Sequence, residues 1–209
     1  MIPTPLFKNH DNESNNLGAN LLNVISQKQI NSILYSDPFL KAGFISKLVN
    51  ETKTEILYID LDLLYSGYVT SGTLVRQENL TLYQPTEDTI EDMLTEILVK
   101  ASISQVLVII DSINGLFNTL NYKKQAGKAV ASIVMLLAST IRQTNSSLVL
   151  ASMARYKKEE GWILSPTGKR LIETKNSKKI LLEYGKEGIV VSPLDGSGKF
   201  LLPASSILL

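Results

Sequence analysis

Three continuous apolar runs constrain the fold of this chain most. They are ILYID at residues 56–60, VLVIID at residues 106–111 and SLVLAS at residues 147–152. None of them alternates apolar with polar residues, and unbroken apolar character is typical of strands that are buried on both faces. Helix-length segments separate the runs, as in folds whose parallel sheet is covered by helices on both sides. We therefore predict an α/β fold with a central, mainly parallel sheet flanked by helices.

The remaining pattern predicts one core domain over residues 21–209, preceded by a polar, flexible lead-in at residues 1–20. The first five predicted strands span residues 30–35, 54–59, 80–83, 105–110 and 147–152. One helix is predicted after the first strand and ends at about Thr52. A second is predicted over residues 86–102 with Thr86 as N-cap, and a third within residues 125–145. Shorter strands at residues 170–174, 179–184 and 188–192 have hairpin-like spacing, which predicts an antiparallel C-terminal extension of the sheet.

The residue types that many enzymes use for catalysis are scarce. The chain has no cysteine and a single histidine, His10, among its 209 residues. Disulfides, thiolate metal sites, cysteine nucleophiles and nearly all histidine-based metal sites or triads are therefore excluded. Lysine and arginine total 21 against 20 for aspartate and glutamate, so any surface that binds nucleic acid must be a local one.

The sequence indicates a cytoplasmic protein. Its first residues, MIPTPLFKNHDNESNN, have neither the basic start nor the apolar stretch of a signal peptide. The longest apolar stretch, at residues 129–138, is interrupted by Ser132 and is too short to span a bilayer. We expect no association with a membrane.

The segment VLVIIDSINGLF at residues 106–117 is the most informative for function. Asp111 ends a buried strand, and open α/β sheets bind ligands at the carboxyl ends of their strands. Asp-Ser followed by small, apolar and aromatic residues resembles the Walker B region of the RecA and RadA recombinases and their KaiC-like relatives. Residues 56–62 resemble that family's strand ending in Asp-x-Glu, and residues 161–193 resemble the hairpin region that closes a RecA core. Over residues 21–202 the resemblance implies a RecA-like P-loop NTPase fold.

The site where this family binds phosphate is degenerate here. A working phosphate loop reads G-x-x-x-x-G-K-[ST], and its glycines let backbone N–H groups wrap the phosphates. Aligned on the end of the first strand, Ser36 and Lys41 stand in place of the two glycines. Ala42 replaces the lysine and Gly43 replaces the hydroxyl residue. Asp37 adds negative charge where the polyphosphate would lie.

Two further positions depart from the family. Asp62 stands where the family has a glutamate that orients the attacking water, and its side chain is one methylene shorter. Met153 lies about where RecA-like proteins carry a glutamine that senses the terminal phosphate. We therefore expect no catalytic residues, no metal site and no cofactor, with weak binding of ATP and magnesium as the alternative. Asp62, Asp111 and Ser112 are then relic positions of the family's catalytic site. For Asp111 two roles are open, that of a strand-end relic and that of a hydrogen-bond anchor.

The functional surface that remains is basic. Residues 155–179 contain eight basic residues and only three acidic ones. In RecA-like proteins the loops after the strands at residues 105–110 and 147–152 face single-stranded DNA, and basic residues interleaved with aromatic ones suit such a site. The candidate nucleic-acid-binding residues are Lys123, Lys124, Arg155, Lys157, Lys158, Trp162, Lys169 and Arg170. The alternative is a solvated loop in which Trp162 packs inward.

Three functions from different classes fit these observations. The first, which we favour, is a non-catalytic RecA-fold accessory protein in DNA recombination or repair, a recombinase paralogue that binds DNA or a RecA-like partner. The second is a structural subunit of a RecA-fold ring resembling the accessory subcomplex of Elongator, which acts in tRNA modification and whose members also lack Walker motifs. The third is a KaiC-like or RadA-like ATPase with an atypical phosphate loop. We expect a RecA-like partner or a homo- or hetero-oligomer, with single-stranded DNA or RNA as the candidate ligand.

Overall fold

The computed structural model describes residues 21–120, 124–159 and 177–206, together with the backbone of residues 161–164. Its strands are β1 (Ile30–Tyr35), β2 (Glu55–Asp60), β3 (Leu80–Tyr83), β4 (Val106–Asp111), β5 (Ser147–Lys157), β6 (Gly161–Leu164), β7 (Ser177–Tyr184), β8 (Gly188–Pro193) and β9 (Phe200–Pro203). Its helices are α1 (Pro38–Glu51), α2 (Leu64–Thr70), α3 (Ile90–Ile103), α4 (Ile113–Thr119) and α5 (Ala126–Ile141). Within this part of the chain, none of the helices combines the length and the apolar character needed to cross a membrane.

The strands form one sheet in the order β3-β2-β4-β5-β1-β7-β8-β9, and β6 pairs with β5 off this path. All neighbours from β3 to β7 pair in parallel, whereas β7, β8 and β9 pair antiparallel. The prediction of a mainly parallel sheet with an antiparallel C-terminal extension is thus confirmed. Because parallel strands point the same way, the carboxyl ends of β1, β2, β4 and β5 lie at one edge of the sheet, which we call the carboxyl edge.

Both faces of the sheet are apolar, which explains the unbroken apolar runs in the sequence. Successive residues of a strand point to opposite faces. Ile109 lies in a cluster with Phe44 and Leu48 of α1, while its neighbour Ile110 lies in a second cluster with Val134 of α5. Helices therefore cover the sheet on both sides, and these two layers hold the side chains at the carboxyl edge.

Several boundaries differ from those that the sequence predicts. The predicted N-cap Thr86 is wrong: α3 begins after Thr89, because residues 86–89 form a turn in which the two threonine hydroxyls bond to each other at 3.1 Å. Strand β5 continues to Lys157, because β6 pairs with its polar end. The sequence pattern does not predict the short helices α2 and α4 or the strands β6 and β9. The predicted strand at residues 170–174 lies outside the described residues.

Candidate functional site

The carboxyl edge brings together polar residues that the sequence places at separate strand ends. Asp60 and Asp111 end β2 and β4 and lie opposite each other in the parallel register. On the other side of β4, strand β5 separates it from β1, and Tyr35 at the end of β1 lies opposite Met153 of β5. Residues that follow these strands, including Asp62, therefore surround a single site.

The residues at the predicted phosphate-loop positions do not form a loop. Only Ser36 and Asp37 separate β1 from α1, so Lys41, Ala42 and Gly43 lie within the helix. The phosphate-loop motif places four residues between its two glycines. A two-residue connection is too short to wrap a phosphate with backbone N–H groups.

The N-terminus of α1 is capped by a carboxylate of the chain itself. Asp37 is the N-cap, and its Oδ1 accepts a hydrogen bond from the N–H of Phe39 at 2.7 Å. Its Oδ2 accepts a second hydrogen bond from Tyr184 Oη, also at 2.7 Å. A free helix N-terminus is a ready binding site for phosphate. Here the carboxylate of Asp37 takes that position.

The side chain of Lys41 lies at the centre of the site. It is only 1% exposed, and its Nζ contacts Oδ1 of the equally buried Asp111. The same Nζ lies 3.0 Å from Oδ2 of Asp62, which is 31% exposed, and 5.1 Å from the ring centroid of Tyr35. One buried cation therefore joins carboxylates that follow two different strands.

Two hydroxyl groups complete the bonding of these carboxylates. Tyr58 Oη donates to Oδ2 of Asp111 at 2.7 Å, and Ser112 Oγ donates to Oδ1 of Asp62 at 3.1 Å. Each carboxylate thus has the lysine on one oxygen and a hydroxyl group on the other. We call these five residues the Lys41 network. Of the two roles that the sequence leaves open for Asp111, the geometry favours the hydrogen-bond anchor.

Burial and charge act in opposite directions on the ionisable groups of the network. Burial raises the pKa of Asp111 to about 6, although Lys41 and Tyr58 act to lower it. Burial alone would lower the pKa of Lys41. Its interactions, above all that with the carboxylate of Asp111, outweigh the effect of burial and hold the pKa of Lys41 above its ordinary value. Burial also raises the pKa of Tyr58 well above its ordinary value. At neutral pH, Lys41 is therefore an ammonium group, Asp111 a carboxylate and Tyr58 a hydroxyl donor.

The turn after β2 is held against α4. The N–H groups of Leu61 and Asp62 donate to the carbonyl of Asp111 at 2.7 and 3.3 Å. Gly115 permits this approach, because a Cβ there would lie 2.6 Å from Leu61 Cβ and 2.9 Å from Asp62 Oδ1. The next residue, Leu63, has a φ of 58°, in a region that is unfavourable for leucine by about 1–2 kcal/mol. The chain thus fixes the position of Asp62 at the expense of local strain.

The residues at this edge do not fit a magnesium-bound nucleoside triphosphate. Both carboxylate oxygens of Asp111 and the ammonium group of Lys41 are bonded inside the chain, and Asp37 caps the helix where a phosphate would bind. Across the described ranges, no three histidine, cysteine, aspartate or glutamate residues form a group that could hold a metal ion. No model of a known protein family matches the chain, and no curated protein matches it.

The described basic candidates lie mostly on a hairpin at the carboxyl edge. Beyond Met153, the last residue of β5 that pairs with β1, the strand pairs with β6 and places Tyr156 opposite Trp162. Arg155, Lys157 and Lys158 are exposed. We call residues 154–164 the basic hairpin. Because β5 lies between β4 and β1 in the sheet, the hairpin begins beside the Lys41 network.

The other nucleic-acid candidates are only partly covered by the structure. Lys124 is exposed and lies just before α5. Since α5 runs antiparallel to the strands it connects, its N-terminus lies towards the carboxyl edge. Lys123, Lys169 and Arg170 lie outside the described residues, and of Trp162 only the backbone is described.

Sequence reasoning missed the partners of the strand-end carboxylates. The available signal for Lys41 is its place as the one charged residue in PFLKAGFIS at residues 38–46. A lysine on an otherwise apolar helix predicts an internal ion pair, because lysine is almost never fully buried unless it is paired. For Tyr58 there is no such signal, since a tyrosine within ILYID is indistinguishable from any other core residue.

Proposed function

We propose that this protein is a non-catalytic RecA-fold accessory protein that acts in DNA recombination or repair by binding single-stranded DNA or a RecA-like partner. The observation that carries the proposal is the Lys41 network, in which the residues at the candidate nucleotide edge bond to one another. A basic hairpin beside this network provides the binding surface.

The RecA-like part of the proposal is supported by the positions of the residues that resemble the family. Asp111 and Asp62, which resemble its magnesium-binding and water-orienting carboxylates, lie on either side of one lysine at the carboxyl edge. Helix α1 follows β1 at the same edge, where the family carries its phosphate loop. Strands β7 and β8 extend the sheet within residues 161–193, which resemble the family's hairpin region.

The non-catalytic part of the proposal follows from the charges. Lys41 supplies, from within the chain, the positive charge that a magnesium ion would bring to Asp111. Removing one partner of a buried ion pair costs about 3–5 kcal/mol. A nucleotide of micromolar intrinsic affinity, worth about 8 kcal/mol, would lose about half of its binding free energy in breaking the pair. The carboxylate of Asp37 would further repel its phosphates.

The binding part of the proposal rests on the basic hairpin. Exposed cations can contact phosphates along a single strand, and Arg155, Lys157 and Lys158 provide three of them within four residues. Tyr156, 63% exposed, lies among them. Stacking of a base on such a ring is worth about 1–3 kcal/mol. Since the whole chain carries a formal charge of only +1, this local excess is what favours contact with nucleic acid.

Fluorescence anisotropy with a labelled single-stranded DNA oligonucleotide tests the proposal. The triple variant Arg155→Glu, Lys157→Glu, Lys158→Glu should lose binding, while its thermal melt stays close to that of the wild type. The matched control makes the same change of charge at three exposed positions that precede β2, β3 and β9 at the opposite edge: Lys53→Glu, Arg76→Glu and Lys199→Glu.

The control variant should retain most of the wild-type affinity. For each phosphate contact that is lost, the slope of log affinity against log salt should fall in magnitude by about 0.7. Equal losses in both triple variants would point to general charge instead of the hairpin. A wild-type protein that binds no oligonucleotide would contradict the DNA-binding part of the proposal.

A further inference from the structure

Helix α5 is apolar on its outer side as well as on the side that packs on the sheet. Its inner side is buried through residues such as Val130, Val134 and Leu137. On the outer side, Met135 and Leu136 are 55% and 53% exposed. From residue 129 to residue 141 the helix contains no charged residue. A helix that is apolar all round is typical of a buried position, so the outer side of α5 indicates a surface that another molecule covers.

The exposed apolar surface continues on α3, the neighbour of α5 in the layer of helices. Side chains of both helices belong to one apolar cluster. Thr144, which follows α5, donates a hydrogen bond from its Oγ1 to the carbonyl of Ala101 in α3 at 2.8 Å. Near the end of α3, two apolar residues one helical turn apart are exposed on its outer side. We call the exposed apolar residues of both helices the outer helix patch: Val99, Ile103, Met135 and Leu136.

The exposed residues of α5 follow a symmetric order along the helix. Met135 and Leu136 form a central pair, and the exposed residues Ser132 and Ser139 lie three residues before and three residues after it. A twofold interface uses the same surface of both copies. Between two antiparallel copies of α5, Met135 of each copy would face Leu136 of the other, and Ser132 would face Ser139. Large residues therefore meet at the centre and small ones on either side.

The charges near the ends of α5 also fit an antiparallel pair. Helices α3 and α5 each connect parallel strands, so both run in the same direction and begin at the same end of the layer. The first turn of α3 carries the exposed residues Glu91 and Asp92. Arg142 follows the last turn of α5. In an antiparallel pair, Arg142 of one copy reaches the end at which α3 of the other copy begins, where the two acidic residues outnumber Lys128, the one charged residue of α5.

We infer that two copies of this chain associate through the outer sides of their α5 helices, antiparallel about a twofold axis. A second copy fits this surface because its facing side is equally uncharged, so the contact buries no unpaired charge. The Lys41 network and the basic hairpin lie outside this contact. The inference goes beyond the proposed function and does not rest on it. Because one pair of helices forms a small interface, we expect a weak dimer that dissociates on dilution.

Sedimentation velocity of the full chain over a wide concentration range tests the inference. The wild type should shift from monomer to dimer as its concentration rises. Leu136→Glu places a carboxylate at the centre of the contact and should weaken dimerisation by about tenfold or more. Its melting temperature should stay close to that of the wild type, because Leu136 is exposed in the monomer. The matched control is Leu194→Glu, which makes the same change at a 51% exposed leucine after β8 and should leave dimerisation unchanged.

Disulfide crosslinking tests the antiparallel orientation, and the chain has no cysteine of its own that could interfere. When the variants Ser132→Cys and Ser139→Cys are mixed and mildly oxidised, a disulfide should link one variant to the other, because these positions face each other. Either variant alone should crosslink much less, since its two equivalent positions would lie about 10 Å apart along the helices. Mass spectrometry distinguishes the mixed product from the two uniform ones.

A dimer that Leu136→Glu weakens and Leu194→Glu does not, with crosslinks chiefly between the two cysteine variants, would support the inference. A monomer at all concentrations, or a dimer that is indifferent to Leu136→Glu, would overturn it. Efficient crosslinking of each cysteine variant with itself would show a parallel pair and would overturn the twofold arrangement. A monomer that cosediments with phosphatidylcholine vesicles and loses this property in Leu136→Glu would assign the patch to a membrane surface instead.

Oligonucleotide binding, measured separately, keeps this inference apart from the proposed function. A wild-type dimer that binds no oligonucleotide contradicts only the DNA-binding proposal. A wild-type monomer that binds an oligonucleotide through the basic hairpin contradicts only the inference about α5.

Discussion

The Lys41 network and the basic hairpin lie at the same edge of the sheet and use lysine in opposite ways. Lys41 is buried and contacts two carboxylates, whereas Lys158 is exposed in the turn of the hairpin. A buried charge is tolerated only when it is paired. An exposed lysine stays hydrated and can still contact a phosphate. Burial, and not residue type, therefore decides whether a basic residue at this edge forms an internal ion pair or stays accessible to a ligand.

Removing the charge of the buried lysine should have the greatest consequence for stability. Lys41→Met keeps an unbranched side chain but removes the ammonium group, which leaves the buried Asp111 without its cation. We expect the free energy of unfolding, measured by urea denaturation at neutral pH, to fall by about 3–5 kcal/mol. The matched change on the hairpin, Lys158→Met, should alter it by less than about 0.5 kcal/mol.

A double variant separates charge from packing in that result. Adding Asp111→Asn to Lys41→Met removes the unpaired buried carboxylate, so part of the lost stability should return. If the double variant is no more stable than Lys41→Met alone, the loss comes from packing and the ion pair is not its cause. Equal effects of Lys41→Met and Lys158→Met would contradict the contrast between the two regions.

The buried region should also make the stability of the protein depend on pH, to a smaller extent. Burial raises the pKa of Tyr65, a neighbour of Tyr58, to about 12. The folded protein therefore holds this proton more firmly than the unfolded chain, whose tyrosines have a pKa of about 10. The resulting stability is fully present below about pH 10 and is lost as the pH rises from about 10 to about 12. In that window, one such group contributes a slope of about 1.4 kcal/mol per pH unit.

Tyr65→Phe tests this pH dependence, because phenylalanine keeps the ring and removes the ionisable group. The free energy of unfolding of the variant should fall less steeply between about pH 10 and pH 11 than that of the wild type, by about one such slope. Tyr58 and Lys41, whose pKa values are shifted in the same direction, remain in the variant. The loss of unfolding free energy with rising pH should therefore be less steep in the variant, but it should not vanish. An unchanged slope would contradict the burial of the Tyr65 hydroxyl.

The parallel strands could be predicted from the sequence because their signal is local. Each apolar run records directly that both faces of its strand are buried, and the predicted strands at residues 54–59 and 105–110 differ from β2 and β4 by one residue at each end. Helices α2 and α4 carry no comparable signal. Helix α4 depends on its cap, where Ser112 Oγ accepts a hydrogen bond from the N–H of Gly115. The paired part of β5 beyond Met153 is polar, so its pattern resembles a loop.

The candidate site could be predicted only in part, for a similar reason. Asp111 and Asp62 follow apolar strands, and their position at the carboxyl edge follows from the parallel sheet. The pairing of Lys41 with them does not follow, because it joins residues that are distant in sequence and depends on how α1 packs on the sheet. Aligning Lys41 with a glycine of the phosphate loop treats it as a loop residue and conceals its role. Comparison with the motif shows that the phosphate loop is missing, whereas only the packing of α1 on the sheet shows that Lys41 occupies the site.

We propose that the Lys41 network closes the carboxyl edge of the sheet to nucleotides from within. Isothermal titration of the wild-type protein with Mg-ATP is the sharpest test of this proposal. We predict no binding tighter than about millimolar, which corresponds to about 4 kcal/mol, and no ATP turnover. Micromolar affinity, or turnover that Asp111→Ala abolishes, would contradict the closure of this edge by the Lys41 network.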